Sequence, residues 1–167
     1  ATPSAFTIQG TGGSGSNIAG AALTIAGGQG TGTGVGGNIV FQYAPAGSTG
    51  ASLNALQTAC SISGTDGALN CPGTGSQSQR FGIYSSATGD YSLAVGYYAS
   101  ANQTASTVLG RSATASGPNS TTVGYLSNAG NAGISVGYQA TTLGANQSIA
   151  LGSSASATFS SSIALGV

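Results

Sequence analysis

The sequence almost lacks charge, and this absence excludes several classes of function. Its 167 residues include two basic residues, two acidic residues and no histidine, for a net charge of zero, whereas globular proteins carry about 25% charged residues. A nucleic-acid-binding protein needs a basic face that replaces the counterions of the phosphates, and two arginines cannot supply one. We therefore expect no nucleic-acid partner.

The same shortage argues against catalysis and against a bound metal or cofactor. General acid–base chemistry needs titratable groups held together, and the two aspartates, Asp66 and Asp90, are far apart in the sequence. A zinc site needs a cluster of Cys, His or carboxylate ligands, but the chain has two cysteines and no histidine. We predict that the chain is not an enzyme and holds neither a cofactor nor a metal.

Long apolar runs are also missing. Because no run approaches the length that a membrane-spanning helix needs, we expect no membrane insertion within this segment. No signal peptide is visible at Ala1, and because the sequence starts without Met we expect it to be a piece of a longer polypeptide.

Tiny side chains take the place of the missing types. Gly, Ala, Ser and Thr make up 102 of the 167 residues, and Leu, Ile, Val and Phe total only 30. So low an apolar content is typical of disorder, although disordered chains usually carry net charge as well. A neutral chain of this kind orders best when its few apolar residues recur at regular intervals.

A regular period runs through the second half of the chain. Glycines recur about every 14 residues, an apolar residue precedes each one, and small residues follow at three and five positions. This alternation is typical of strands, and it predicts coils of two short strands with two glycine-assisted corners. We expect Val, Leu or Ile to fill one side of each coil and Ala or Ser the other. The period glycines are Gly82, Gly96, Gly110, Gly124, Gly137, Gly152 and Gly166.

Stacked coils of this size predict a β-solenoid in which each coil pairs with the next. One such ribbon buries little apolar area, and burial stabilises a fold by only about 25 cal/mol per Å². We therefore expect the outer faces of several ribbons to pack together in an oligomer.

Three strings carry a family resemblance: SLAVG at 92–96, QSIALG at 147–152 and SIALG at 162–166. They resemble the head repeats of trimeric autotransporter adhesins (YadA-like), which are also found in bacteriophage tail fibres. The resemblance covers residues 81–167. It implies an all-β fold, namely a trimeric left-handed parallel β-roll of 14-residue coils, with the chain itself as the partner in a homotrimer.

The first 50 residues carry a different repeat. The pattern TIxGxxGxG at 7–15 recurs at 24–32 and leads into an alternating strand at 38–43. This unit resembles phage tail-fibre shafts, which implies a Gly-rich β shaft and favours a viral fibre over a bacterial adhesin. We divide the chain into a shaft (1–50), a connecting segment (51–80) and β-roll repeats (81–167).

Both cysteines lie in the connecting segment, in a stretch that is symmetric about Thr65-Asp66 and contains an Asp-Gly turn at 66–67. Such a turn predicts a hairpin, in which Cys60 lies opposite Cys71 and Ile62 opposite Leu69. That placement permits a disulfide, which would indicate an extracellular protein, while two buried free thiols are the alternative. Residues 72–79 are predicted to be a linker into the repeats.

The position after the period glycine holds the candidate receptor-contact residues Tyr97, Arg111, Tyr125 and Tyr138. Exposed tyrosine rings suit stacking on sugar rings, and an arginine adds a fork of hydrogen-bond donors. Packing between chains is the alternative, and strand parity favours it, because this column shares its side with the apolar residues two positions earlier.

Together these features predict a segment of a homotrimeric extracellular fibre that attaches to a host or cell surface. The favoured assignment is a bacteriophage tail fibre on the virion surface, which contacts a cell-surface glycan or protein receptor. A bacterial trimeric autotransporter adhesin head on the outer-membrane surface is one alternative. A structural filament or coat protein without a receptor is the other.

Overall fold

A computed structural model describes residues 5–47 and 49–166. Within these residues the regular secondary structure consists of strands, as the sequence predicts, and no helix is long and apolar enough to cross a membrane. The strands are β1 (Ile39–Tyr43), β2 (Gln57–Ile62), β3 (Leu69–Asn70), β4 (Gln79–Phe81), β5 (Leu93–Val95), β6 (Ser100–Ala101), β7 (Thr107–Leu109), β8 (Thr114–Ala115), β9 (Thr121–Val123), β10 (Asn128–Ala129), β11 (Ile134–Val136), β12 (Ile149–Leu151) and β13 (Ile163–Leu165).

Strands β4 to β13 form a parallel β-solenoid of about six turns of about 14 residues each. The three-residue strands stack in one seven-stranded sheet, and the two-residue strands β6, β8 and β10 stack in a second sheet. Equivalent residues of successive coils lie side by side, as when Thr107 pairs with Leu93 on one side and Thr121 on the other. The coil length predicted from the glycine period is confirmed.

Small side chains line the interior of the coils. The middle residue of each three-residue strand from β5 to β12 is the buried one, and Val108 is the largest side chain that the coils bury fully. Leu109, directly after it, is 50% exposed on the outer face. The prediction that Val, Leu or Ile fills one side of the interior is wrong except at Val108, since the middle residues of the other strands from β5 to β12 are Ala, Thr or Ser. The second sheet and the residues directly before its strands contribute Ala99, Ala101, Ala113, Ala115, Ala129 and Ala140.

The outer faces of the two sheets differ in polarity. Residues at the first and third positions of the three-residue strands form what we call the apolar face, which includes Leu93, Val95, Leu109, Val123, Ile134, Val136, Ile149 and Leu151. The outward residues of the second sheet form the polar face, and they are Ser86, Ser100, Thr114, Asn128, Thr141 and Ser156.

Glycine has a different role at each corner of the coil. At the first corner, after the three-residue strand, Gly96 has a φ of 133°, and a Cβ there would lie 2.5 Å from the carbonyl oxygen of Gly110. Both corners also place a residue other than glycine in the left-handed conformation, such as Tyr98 with a φ of 56° at the first corner and Asn119 with a φ of 55° at the second. Gly117 is needed at that corner for space, since a Cβ would collide with the backbone nitrogen of Asn131 in the next coil.

One coil is a residue short and the next is a residue long. In the short coil Gly133 stands where neighbouring coils have a serine, and a Cβ on it would collide with the hydroxyl of Thr142. Thr142 replaces the alanine of most other coils, and its hydroxyl accepts a hydrogen bond of 3.0 Å from the Gly130 N–H. The larger side chain of Thr142 therefore fills the space that the shorter coil leaves beside it. As a result, β11 keeps its pairing with both neighbours.

The segment before the solenoid forms a separate antiparallel sheet in the order β1–β2–β3. Ile62 of β2 pairs with Leu69 of β3, which is the register that the symmetric sequence predicts. Phe41 of β1 pairs with Cys60 on the other side of β2. The strand at the end of the Gly-rich segment is thus joined to the cysteine hairpin in one sheet.

In both copies of the 17-residue repeat the chain folds back on itself, with registers that differ by one residue. A backbone hydrogen bond closes each reversal: Ala21 N–H to Thr11 O at 2.8 Å, and Gly37 N–H to Gly28 O at 2.7 Å. Residues 5–38 contain no strand. Their apolar side chains face outward, as Val35 does at 67% exposure.

Candidate functional site

The four candidate contact residues lie in one column along the solenoid. Each follows the glycine of the first corner, so the in-register stacking of β5, β7, β9 and β11 aligns them in successive coils. Their side chains are exposed, with Tyr97 at 44%, Tyr125 at 37% and Tyr138 at 50%. The column is therefore accessible to a ligand on the single chain, and a role in receptor contact stays a prediction.

Arg111, Tyr125 and Tyr138 form a continuous stack. The guanidinium carbon of Arg111 lies 4.9 Å from the ring centroid of Tyr125, within the range of a cation–π contact. The rings of Tyr125 and Tyr138 follow with centroids 5.7 Å apart. The two aspartates of the chain accept backbone hydrogen bonds elsewhere, from Ala68 and Ser76. The stack thus combines two aromatic faces with an exposed guanidinium.

Tyr97 belongs to a separate aromatic cluster in the first two coils. It contacts Tyr98 edge to face with centroids 4.6 Å apart, and Tyr98 stacks on Tyr84 at 4.9 Å. Tyr84 and Tyr98 both have left-handed φ angles, 57° and 56°. The site predicted from the sequence omits these two residues, although they occupy equivalent positions in successive coils and so could have been identified as a second column.

The column lies beside the apolar face, on the side that strand parity predicts. Val95, two residues before Tyr97, is a member of the apolar face, and both are at least partly exposed. A second chain that packed on the apolar face would border the column. The same position can therefore serve ligand contact and contact between chains.

The two cysteines are joined by a disulfide in the structure. The turn of this hairpin is held by Asp66, whose carboxylate accepts a hydrogen bond of 3.1 Å from the Ala68 N–H. Hydrogen bonds from the Ser63 side chain and from Ala68 lower the pKa of Asp66 below its ordinary value. Across residues 5–47 and 49–166, no three His, Cys, Asp or Glu side chains come together as a metal site would require.

A family model for the YadA head domain repeat matches residues 81–99, 87–111, 101–127 and 145–167. The unmatched stretch at 128–144 contains most of the short coil and the start of the long one. No characterised protein matches the chain at a significant level. YadA head domains form homotrimers and act as adhesion modules exposed on extracellular surfaces. The chain therefore contains YadA head domain repeats, over residues 81–127 and 145–167.

Proposed function

We propose that this chain is a segment of a homotrimeric, non-enzymatic fibre that attaches a virion to a cell surface. The YadA head repeats support adhesion at an extracellular surface. The Gly-rich unit, with its resemblance to tail-fibre shafts, favours a bacteriophage tail fibre over a bacterial autotransporter. A membrane-anchoring barrel at the end of the complete polypeptide would decide for the autotransporter instead.

The apolar face of the solenoid carries the trimer proposal. Large aliphatic side chains stand on the outside of the coils, where Leu109 is 50% and Ile134 and Leu151 are each 39% exposed. A contiguous exposed apolar surface is typical of a protein interface. Because the polar face carries only Ser, Thr and Asn, we expect three copies to pack through their apolar faces, which removes these aliphatic side chains from water.

The oligomeric state tests this proposal. We expect the wild-type protein to sediment at three times 15.7 kDa and Ile134→Asp to sediment as a monomer, because the substitution places a charge in the buried interface. Thr141→Asp, on the polar face, is the matched control and should remain trimeric. A folded wild-type protein that sediments as a monomer would rule out the trimer.

The Tyr–Arg column is the proposed contact with the receptor. Sugar rings stack on exposed aromatic faces, and the guanidinium of Arg111 can donate hydrogen bonds to glycan hydroxyl or carboxylate oxygens. A trimer presents three copies of the column, so weak single contacts combine into avidity. We therefore propose a cell-surface glycan as the ligand.

An array of bacterial surface polysaccharides is the probe for this contact. We expect Tyr125→Ala and Arg111→Gln to weaken binding at least about tenfold, because avidity multiplies the loss at each site. Tyr91→Ala is the control, since Tyr91 is 61% exposed at the opposite corner. Unchanged binding by both column variants would remove the column from the site, and a wild-type protein that binds no glycan or host cell would favour the structural filament.

A further inference from the structure

The first strand of the solenoid is covered on its outer edge. β4 pairs with β5 on one side. On the other side, the Arg80 N–H donates to the carbonyl of Cys71 at 2.9 Å, and the Gly73 N–H donates to the carbonyl of Ser78 at 3.0 Å. A short antiparallel segment therefore occupies an edge that would otherwise present unpaired backbone groups, the usual template for unwanted strand pairing.

Side chains of β4 reinforce this antiparallel segment. Gln79 accepts a hydrogen bond of 2.8 Å from the Cys71 N–H and donates one of 2.7 Å to the side chain of Asn70. Arg80 donates through Nε to the carbonyl of Pro72 at 3.3 Å. Residues 72–79, predicted from the composition to be a linker, belong to the solenoid instead: Pro72 pairs with Gln79 of β4, and the N–H groups of Thr74 and Gly75 donate to the carbonyl of Ala87.

The covering segment is also attached to the preceding sheet. Cys71 directly follows β3, is 4% exposed, and is joined through its sulfur to Cys60 of β2. β2 and β3 pair over only two residues each, so their ladder alone is a weak attachment. Cys71 thus bonds to the antiparallel sheet through its disulfide and to the solenoid through its backbone carbonyl.

We propose that residues 57–73 form the N-terminal cap of the solenoid and that the Cys60–Cys71 disulfide is the latch that holds the cap on β4. A dithiol reductant opens the latch: two electrons and two protons convert the disulfide to two thiols, and the reductant becomes a cyclic disulfide. After reduction the covering segment is held to β2 only by the short β2–β3 ladder and to β4 only by hydrogen bonds. The edge of β4 opens more often, while the coils beyond it keep their mutual pairing.

Amide hydrogen exchange of the full chain, with and without dithiothreitol, tests the latch. The Arg80 amide reports on the cap, and the Ile149 amide, which donates to the carbonyl of Ser162 at 2.9 Å, reports on the distant coils. We expect reduction to accelerate exchange at Arg80 on the order of tenfold or more and to leave Ile149 nearly unchanged.

The double variant Cys60→Ser/Cys71→Ser supplies the control. It should show fast exchange at Arg80 from the start and no further response to dithiothreitol. If this variant does not fold, the reduced wild-type protein still gives the measurement. Unchanged protection at Arg80 after both thiols are free would overturn the proposal, as would equal acceleration at Arg80 and Ile149, since the disulfide would then support the whole fold and not a local cap.

Discussion

The Gly-rich segment at 5–38 and the solenoid at 79–166 are built from the same residue types, yet only the solenoid has an interior. Both are rich in Gly, Ala, Ser and Thr, both repeat, and both are nearly free of charge. In the first segment every residue other than glycine is exposed, whereas the solenoid buries Ala94, Ala101 and Val108 completely. Composition therefore does not decide whether such a chain forms a core.

The spacing of the repeats decides whether the chain forms a core. A 14-residue unit returns the chain to its starting point one strand spacing further on, so the middle residue of every strand faces the alanines of the second sheet. A 17-residue unit reverses the chain on itself, and its glycines only permit close backbone approach. A Cβ on Gly13, for example, would lie 2.5 Å from the carbonyl oxygen of Ile18. Two backbones in contact leave no space between them for side chains.

Replacing a glycine with alanine should give the largest difference in lost stability between the two regions. Gly96→Ala meets both a φ of 133° and a carbonyl oxygen 2.5 Å from the new Cβ, so we expect the free energy of unfolding to fall by about 3 kcal/mol or more. Gly12→Ala is the matched control, because no heavy atom lies within 4 Å of its Cβ position. Denaturant unfolding measures both, and equal effects would show that the solenoid can relax around the corner.

Enlarging an alanine tests the interior itself. Ala101→Leu inserts three carbon atoms into a fully buried position, and we expect a loss of about 1–3 kcal/mol in the free energy of unfolding. Ala21→Leu makes the same change on the exposed Gly-rich segment and should have almost no effect. A tolerated leucine at 101 would mean that the two sheets can separate, contrary to the close packing observed.

Replacing buried serines with alanine should change stability by a smaller amount, which depends on whether the serine hydroxyl is hydrogen-bonded. The Ser120 hydroxyl donates to the carbonyl of Gly117 at 2.6 Å, so Ser120→Ala should cost about 1 kcal/mol. The hydroxyl of Ser148, at the equivalent position two coils later, is buried without a partner, so Ser148→Ala should be neutral or stabilising. Ser16→Ala, on the exposed segment, is the control, and thermal unfolding of the three variants ranks them.

The solenoid was well predicted because its signal in the sequence is periodic. Glycine spacing indicated the coil length, and the mirrored residues around Asp66 indicated the hairpin register. The interior was assigned incorrectly because alternation distinguishes two faces of a strand without telling which one points inward. Here the larger residues face out, since the small middle residues such as Ala94 are the ones that fit between two close sheets.

The candidate site was predictable in position and only partly in arrangement. Stacking of coils aligns residues that are one period apart, so the column could be identified from the sequence. The division into an Arg111–Tyr125–Tyr138 stack and a separate tyrosine cluster depends on the next position of each coil, which holds Tyr84 and Tyr98 in the first two coils and no tyrosine in the later ones. The ring contacts themselves could not be predicted, because they depend on how the corner directs each side chain.

Acidification should affect the hairpin that joins the two regions and leave the Gly-rich segment unchanged, because residues 5–38 contain no ionisable side chain. Folding lowers the pKa of Asp66 below its ordinary value through hydrogen bonds from Ser63 and Ala68. The stabilisation is therefore present above the ordinary pKa and is lost as the pH falls through the lower, folded pKa.

We expect the Ser63 amide, which donates to the carbonyl of Ala68 at 2.9 Å, to lose protection from exchange in acid. The effect should be small, since Asp66 is fully exposed, and Asp66→Asn should abolish its pH dependence; an identical acid response in that variant would assign the change to another group.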